Sequence, residues 1–307
     1  MKKIAVLGTI TCVLISALAT LQSCKKVKKT DHLLASNSTQ QHTKVAEPLS
    51  QEFKDYWYAG EAEISSYTLE QARYGEMRDG KAVLIYVTED FLPEVQVKAN
   101  NQNANNIPVL KLNATKKFNT GIYPYSIMQS TFYPVANNQH ALKLSSSIQE
   151  WCGQVYVQLN NREQFNIMSH SYFEGEADKN FKLDKTILEN ELWTQLRINP
   201  KSLPTGDISI IPSFEYLRMK HKTIKPYTAN ATLTNSSYTL TYGSLGRTLI
   251  INFNPTFPYE VLGWKETFKS GPKTMTTTAS KLKTLKSPYW QKNDNASEVL
   301  RDTLQLN

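Results

Sequence analysis

Short stretches of alternating apolar and polar residues recur along most of the chain. Leu142, Leu144 and Ile148 alternate with polar neighbours, and residues 155–159 and 249–253 do the same. Successive side chains of a strand point to opposite faces, so this pattern predicts strands with one buried and one solvated face. Residues 82–87, Ala-Val-Leu-Ile-Tyr-Val, form a continuous apolar run, which is typical of a strand buried on both faces.

Residues that favour turns separate these segments. They occur at 78–80, 137–138, 160–161, 234–235 and 243–246. Short strands at this spacing predict a mainly β fold in which a large antiparallel sheet forms a sandwich or a half-open barrel. The apolar strand faces exceed what the helices can cover. We therefore expect either two sheets that fill each other or a curved sheet around an apolar groove that accepts acyl chains.

Helical periodicity is limited to one or two short helices. Leu188, Leu192 and Leu196 share a helix face between Asp184, a candidate cap, and Asn199-Pro200, which ends the helix. Together with Trp193 they would form a lid or plug over the groove. A weaker candidate spans residues 296–304.

The first 24 residues have the layout of an export signal. Lys2 and Lys3 precede an apolar stretch from residue 4 to residue 21, which ends in Leu21-Gln22-Ser23-Cys24. These four residues resemble the lipobox of bacterial lipoproteins, which implies acylation of Cys24 and stable anchoring by several acyl chains. The alternative is an uncleaved signal anchor, because the apolar stretch is long enough to span a membrane. The predicted organisation is a signal peptide at 1–23, a lipidated N-terminus with a disordered tether at 24–50, and a single β-rich domain at 51–307.

The formal charge of +8 is concentrated near the N-terminus. Six lysines lie within residues 1–29, which leaves only +2 for residues 30–307. A nearly neutral body lacks the basic footprint of nucleic-acid binding, so no nucleic-acid partner is expected. The lysines at 25–29 either meet anionic headgroups or form a solvated spacer. Seven lysines between 265 and 292 are the one basic cluster of the body, and a solvated face competes there with lipid contact.

One segment contains groups that could bind a metal. His170, Tyr172, Glu174, Glu176 and Asp178 are spaced two apart, so a continuous strand would place an imidazole and three carboxylates on one face. This donor set suits zinc or a harder divalent ion. Gly175 and Asp178-Lys179-Asn180 favour a turn instead, and the competing interpretation is a solvated acidic hairpin end.

Cys152 is the one cysteine outside the signal and the lipobox, because Cys12 and Cys24 lie there. No intramolecular disulfide is therefore expected in the mature chain. Cys152 could be a nucleophile if His140 or His170 approached it, although a free cysteine is more often simply buried. The sequence contains neither GxSxG nor HExxH. The aromatic groups at 56–58 and 288–290 fit either core packing or contact with a glycan or lipid.

The lipobox and four further segments resemble a family of uncharacterised lipoproteins from the Bacteroidetes group. The segments are 56–63 (YWYAGEAE), 150–153 (EWCG), 171–178 (SYFEGEAD) and 258–264 (PYEVLGW). Members carry the label septum formation inhibitor Maf. Maf proteins are short cytoplasmic nucleotide pyrophosphatases with a Ser-x-Arg-Arg motif, whereas this sequence has no adjacent arginines and begins with an export signal. The resemblance therefore implies a compartment and the role of Cys24, without an activity.

These observations together predict a membrane-anchored envelope lipoprotein of the outer membrane, on its periplasmic face. We expect it to be non-catalytic, without a cofactor, and to bind a lipid, a glycan or a protein. The alternative is a periplasmic hydrolase that uses Cys152 or a metal at His170, Glu174 and Glu176.

Overall fold

The computed structural model describes residues 49–136 and 139–307. The predicted signal peptide, Cys24, nearly all of the tether and the Asn137-Asn138 turn lie outside the described residues. Lys44–Asn307 form a compact unit, and all three core clusters lie inside it. This compact unit therefore carries its own core.

In these residues the structure has sixteen strands and four α-helices. The helices are Gln51–Trp57 (α1), Glu189–Ile198 (α2), Phe214–Met219 (α3) and Val299–Thr303 (α4). Short 3-10 helices occur at Pro200–Ser202, Gly243–Leu245, Tyr289–Gln291 and Asn295–Glu298. The strands are Ala62–Arg73 (β1), Glu76–Leu92 (β2), Val97–Lys98 (β3), Ile107–Thr120 (β4), Tyr123–Pro134 (β5), Lys143–Glu150 (β6), Gly153–Asn161 (β7), Phe165–Ser171 (β8), Lys179–Leu183 (β9), Ile187–Leu188 (β10), Gly206–Ile211 (β11), Tyr227–Leu233 (β12), Ser237–Tyr242 (β13), Arg247–Phe253 (β14), Val261–Ser270 (β15) and Lys273–Ser287 (β16).

All strands belong to one sheet. Its order is β10-β11-β12-β13-β14-β15-β16-β1-β2-β4-β5-β6-β7-β8-β9, and β3 pairs with β2. Neighbouring strands are antiparallel except β10 and β11, which are parallel. The path starts at β10 and ends at β9, so the sheet is large and antiparallel but not closed into a barrel. The predicted mainly β class is confirmed, with four short α-helices instead of one or two.

The sheet curls around helix α2. Leu84 and Leu112 share one core cluster with Leu240 and Leu249, although their strands are far apart in the sheet order. Helix α2 adds Leu192 and Leu196 to this cluster, and both are fully buried. The leucine face predicted from the sequence is therefore confirmed for Leu192 and Leu196, whereas Leu188 lies in β10 and packs in another cluster. Helix α2 packs against the concave side of the sheet.

Two further clusters complete the packing. Strands β5 to β8 pack with Phe214, Leu217 and other residues near α3. On the convex side, the outward side chains of residues 83–87 lie against Leu304 and Leu306 of the C-terminal segment. The contact with Leu304 and Leu306 explains why residues 82–87 are continuously apolar, because both faces of this strand segment have apolar partners.

Several local predictions were wrong for identifiable reasons. Residues 78–80 lie inside β2, and the turn is at Tyr74-Gly75, where φ is positive at both residues. A Cβ on Gly80 would lie 2.4 Å from the Lys117 carbonyl oxygen, so this glycine permits close strand approach. Residues 160–161 end strand β7 instead of forming a turn, whereas 234–235 and 243–246 do lie in turns.

The helix boundaries also differ from the prediction. Asp184 does not cap α2, because residues 187–188 first pair with β11 and the helix begins at Glu189. The candidate at 296–304 forms a 3-10 turn followed by α4. Helices α1 and α3 were missed. Each begins at a serine whose hydroxyl accepts a backbone N–H, Ser50 from Phe53 and Ser213 from Tyr216.

Candidate functional site

The concave side of the sheet holds charged side chains as well as apolar ones. Leu112, Ala114 and Lys116 follow one another at alternate positions of β4, so all three share its inner face. On β15, Trp264 and Glu266 occupy inner positions in the same way, and Arg247 and Leu249 do so on β14. Buried charges are costly unless they are paired, so each requires a partner inside the fold.

Helix α2 supplies charged partners on a second face. Glu189, Trp193 and Arg197 are four residues apart, so they form a stripe beside the leucine face. Glu191 fixes the start of the helix, because its carboxylate accepts the backbone N–H groups of Leu188 (3.1 Å) and Ala141 (2.7 Å). The stripe therefore reaches the sheet at both ends of the helix.

At the N-terminal end of α2, Arg247 joins two carboxylates. It donates to Glu189 Oε1 at 2.7 Å and to Glu266 Oε1 at 2.6 Å. Tyr242 donates to Glu189 Oε2 at 2.6 Å, and the guanidinium lies 4.2 Å from the Tyr216 ring centre. Burial by itself would raise the pKa of Glu266, but the charges of Arg247 and Lys116 hold it below its usual value. Glu266 therefore remains ionised.

At the C-terminal end, Arg197 pairs with Glu63. Two parallel hydrogen bonds of 2.7 Å join the guanidinium to the carboxylate, and both side chains are fully buried. The guanidinium lies 5.0 Å from the Trp57 ring centre and 4.6 Å from that of Tyr86. Burial opposes the charge of Glu63, but Arg197 lowers the pKa of this carboxyl below its usual value. The two ion pairs attach α2 to β14 and β1, which are separated in the sheet by β15 and β16.

A third polar group lies between α2 and α3. Lys116 Nζ is 2.7 Å from Glu215 Oε1, and Gln129 donates to Glu215 Oε2 at 2.9 Å. Asn190 donates to Gln129 Oε1 at 2.9 Å and accepts the backbone N–H of Phe214 at 3.3 Å. These bonds hold the first turn of α3 against the sheet.

These polar groups surround a narrow cleft between the sheet, α2 and the start of α3, here called the central cleft. Its cavity volume is about 50 Å³, so the cleft is narrow and admits only a slender group. Trp193 and Trp264 meet edge to face, with ring centres 5.3 Å apart. Its apolar walls are Leu84, Leu112, Ala114, Trp193, Leu249 and Trp264, and its polar groups include Lys116, Gln129, Glu189, Asn190, Glu215, Arg247 and Glu266.

The candidate metal residues do not share a strand face. Strand β8 ends at Ser171, so residues 172–178 form the hairpin end that competed with the metal interpretation. His170 Nδ1 lies 3.1 Å from Asp178 Oδ2, while Glu176 pairs with Arg218 and its carboxylate accepts a bond of 2.7 Å from His221 Nδ1. Glu174 is exposed. Across residues 49–136 and 139–307 no three His, Cys, Asp or Glu side chains are grouped for a metal ion.

Cys152 lies exposed in the turn between β6 and β7, not in the core. A hydrogen bond with Glu150 raises the pKa of its thiol, which is the opposite of what activates a nucleophile. The candidate bases have other partners, since His140 bonds to Glu191 at 2.9 Å and His170 pairs with Asp178. The structure therefore does not assemble the predicted Cys–His pair.

The remaining sequence candidates divide between core and surface. Trp57 is buried and Tyr56 packs against Phe257 with ring centres 5.6 Å apart, so the first aromatic group is mainly core. Tyr289 and Trp290 are exposed in a 3-10 helix. Among the lysines of 265–292, Lys281 pairs with Glu260 and Lys286 donates to the Tyr56 carbonyl, whereas Lys265, Lys269, Lys273 and Lys283 are exposed.

The residues of the central cleft were missed by the sequence analysis. A usable signal was present: Lys116 occupies the apolar phase of β4, between Leu112 and Phe118. Likewise, Glu189 and Arg197 are eight residues apart, at the two ends of a helix already predicted. Their partners Arg247, Glu266 and Glu63 lie on distant strands, and nothing local marks them as partners.

Comparisons with known proteins add little beyond the fold. The chain matches no protein-family model and no curated protein. Among solved structures it is similar to a beta-barrel-like protein of a domain of unknown function, DUF1849, from Brucella abortus, with 8% sequence identity and a TM-score of 0.42. The match covers 73% of this chain and 96% of that chain. No helix within the described residues has the length and hydropathy needed to cross a membrane.

Proposed function

We propose that the chain is a non-catalytic, membrane-anchored envelope lipoprotein whose central cleft binds a small amphiphile. The observation that supports this most directly is the cleft itself, a narrow space with tryptophan and leucine walls and several convergent polar groups. Pockets of this composition are the usual location of small-molecule sites.

The chemistry of the lining favours an amphiphile. A slender apolar group would lie along Leu84, Leu112 and Trp264, where its burial is favourable by about 25 cal/mol for each Å². The polar end would meet Lys116 and Glu215, which lie 2.7 Å apart and are partly accessible. An acyl chain with a small headgroup has this division into apolar and polar parts.

The same groups favour binding over catalysis. The Glu189 and Glu266 carboxylates are committed to Arg247, and the lowered pKa of Glu266 prevents it from acting as a general acid near neutral pH. Cys152 has a raised thiol pKa and no paired histidine among the described residues. A hydrolase would need an activated nucleophile or a metal-bound water in the cleft.

The anchor is the second part of the proposal. Acylation of Cys24, which follows Leu21-Gln22-Ser23, would hold the chain on the outer membrane, with the domain on the periplasmic side. The nearly neutral body after residue 30 fits a membrane-anchored binding protein better than a nucleic-acid-binding one. The glycan and protein partners predicted from the sequence become the alternatives if no lipid binds.

Lipid extraction and probe displacement test the cleft. Mass spectrometry of the native protein should detect a bound amphiphile, and a fluorescent fatty acid should bind saturably. Ala114→Phe places a ring into the cleft and should weaken probe binding by about tenfold or more. Ser126→Phe adds the same ring at an exposed position of the neighbouring strand β5 and should leave probe binding unchanged.

Two results would count against the cleft as the site. One is the absence of both extracted lipid and saturable probe binding. The other is equal weakening by Ala114→Phe and Ser126→Phe, because only the first residue lines the cleft.

A further inference from the structure

Large apolar side chains project from several turns at one end of the sheet. Ile122 is 84% exposed, Trp151 69%, Tyr74 60% and Tyr172 52%. Each lies in a different connection: β1–β2, β4–β5, β6–β7 or β8–β9. We call these four residues the aromatic rim.

The strand register places the four turns together. Hairpin pairs Arg73–Glu76, Thr120–Tyr123 and Glu150–Gly153 close the turns, and the strands between them are paired in sequence across the sheet. Tyr125 and Tyr123, whose ring centres are 6.0 Å apart, connect two of the members, Tyr74 and Trp151. The Tyr74 and Tyr125 hydroxyls are 2.9 Å apart, and the Tyr123 and Trp151 ring centres are 6.4 Å apart. Several large apolar side chains exposed at one end of a sheet are a candidate interaction surface.

Basic groups lie at the same end. Arg73 donates to Tyr74, Tyr125 and the Met219 carbonyl, and no carboxylate among the described residues pairs with it. Beside it, Arg218 and His221 share the single carboxylate of Glu176. Exposed lysines follow in the neighbouring turns and strand ends, namely Lys117, Lys222, Lys269 and Lys273.

Acidic side chains are fewer there, and most are engaged. Glu76 pairs with Arg78, Glu176 with Arg218, and Asp178 with His170, while Glu150 accepts the Cys152 backbone N–H. Glu174 remains exposed in the β8–β9 turn, and Glu70 and Asp79 are exposed on β1 and β2 beside their shared turn. This end of the sheet therefore has apolar side chains at the tips of its turns and mainly basic side chains around them.

We propose that the aromatic rim docks on the surface of a lipid bilayer that contains anionic headgroups. Tryptophan and tyrosine favour the membrane–water interface, and nearby lysines and arginines attract anionic lipid. This docking is separate from amphiphile binding in the central cleft and from acylation of Cys24. It would orient the domain with this end towards the membrane.

The length of the chain before the domain is compatible with this orientation. Helix α1 lies at the opposite end of the sheet, where the Trp57 carbonyl accepts a bond from Thr88 and Phe53 meets Phe257. Strand β4, with 14 residues, spans about 46 Å. Residues 25–48 number 24, and a chain of that length reaches at most about 80 Å. One membrane can therefore hold both Cys24 and the rim.

Binding to vesicles tests the proposal without the lipid anchor. Residues 44–307, which carry the complete core, should sediment with phosphatidylethanolamine vesicles that contain about 30% phosphatidylglycerol. Replacing Ile122 and Trp151 together by serine should weaken this binding by about tenfold or more. Trp290→Ser removes an exposed tryptophan at the opposite end and should change it less than about twofold.

Cys152 gives a second readout, because it is the one exposed thiol of residues 44–307. A polarity-sensitive fluorophore attached there should shift to the blue when vesicles are added. The same fluorophore at Ala104→Cys, in a Cys152→Ser background, lies in an exposed loop at the opposite end and should not shift.

Three outcomes would overturn the docking proposal: no sedimentation with these vesicles, equal losses for the rim and Trp290 variants, or equal shifts at residues 152 and 104. The cleft proposal would survive each of them, since Ala114→Phe changes probe binding and leaves the rim untouched. Conversely, vesicle binding by Ala114→Phe should match that of the unchanged chain.

Discussion

The Arg197–Glu63 pair provides the sharpest test of how α2 is held. The perturbation is Arg197→Met, which keeps an unbranched side chain with an apolar stem and removes the guanidinium charge. In the native fold Glu63 accepts both guanidinium bonds and one from the Tyr56 hydroxyl at 2.5 Å. After the substitution the fully buried carboxylate keeps only uncharged donors, the Tyr56 hydroxyl and the Ser65 hydroxyl at 3.5 Å.

The expected loss is large because one buried charge is left without its partner. Breaking a buried ion pair in this way costs about 3–5 kcal/mol. For a folded unit of this size, each kcal/mol corresponds to about 2–4 °C in Tm. Arg197→Met should therefore lower Tm by roughly 6–20 °C. Loss of the contacts with the Trp57 and Tyr86 rings acts in the same direction.

A double-mutant cycle separates charge from packing. Glu63→Gln removes the carboxylate charge and keeps an acceptor for Tyr56, so Glu63→Gln with Arg197→Met should recover most of the lost stability. Urea unfolding of residues 44–307, followed by tryptophan fluorescence, measures each variant. The reasoning would be refuted if Arg197→Met lost less than about 1 kcal/mol, or if the double variant lost the sum of the single losses.

Two other predictions concern the anchor and acid stability. Cys24→Ala should abolish incorporation of labelled fatty acid and release the chain from membranes, and a variant that still carries label would contradict acylation at this residue. The pKa values of Glu63 and Glu266 are lower in the fold than their usual value of 4.5, so the unfolded chain binds more protons as the pH falls below about 4.5. The free energy of unfolding should therefore decrease as the pH falls through that range. Glu63→Gln should make this decrease smaller, as measured by urea unfolding at several pH values.

The fold class could be predicted from the sequence because its signals are local. Alternation of apolar and polar residues at 155–159 and 249–253 depends only on strand geometry, and both segments are strands with inward apolar residues. The leucine face of α2 was equally local. The turn predicted at residues 78–80 is wrong, because the glycine at position 80 is there for the close approach of Lys117 from the neighbouring strand.

The interior charges could not be predicted because their partners are remote. Arg247 and Glu189 are 58 residues apart, and Glu63 and Arg197 are 134 apart. From the sequence alone, a charged residue in a strand or helix is expected to be solvent-exposed unless its partner is known. For residues 170–178 the error was the reverse. Five regularly spaced polar residues suggested a metal site on one strand face, whereas the strand ends at Ser171.

The placement of charges in α2 explains why a cleft can persist beside a helix that packs against the concave side of the sheet. The leucine face alone would allow α2 to move closer to the strands, because apolar contacts are not directional. Bidentate pairs at Glu189 and Arg197 instead fix both ends of the helix at set distances from β14 and β1. Such pairs add little net stability, but they specify one geometry. Trp193 lies midway between them, facing Trp264, where the sheet and α2 are held apart and the central cleft opens.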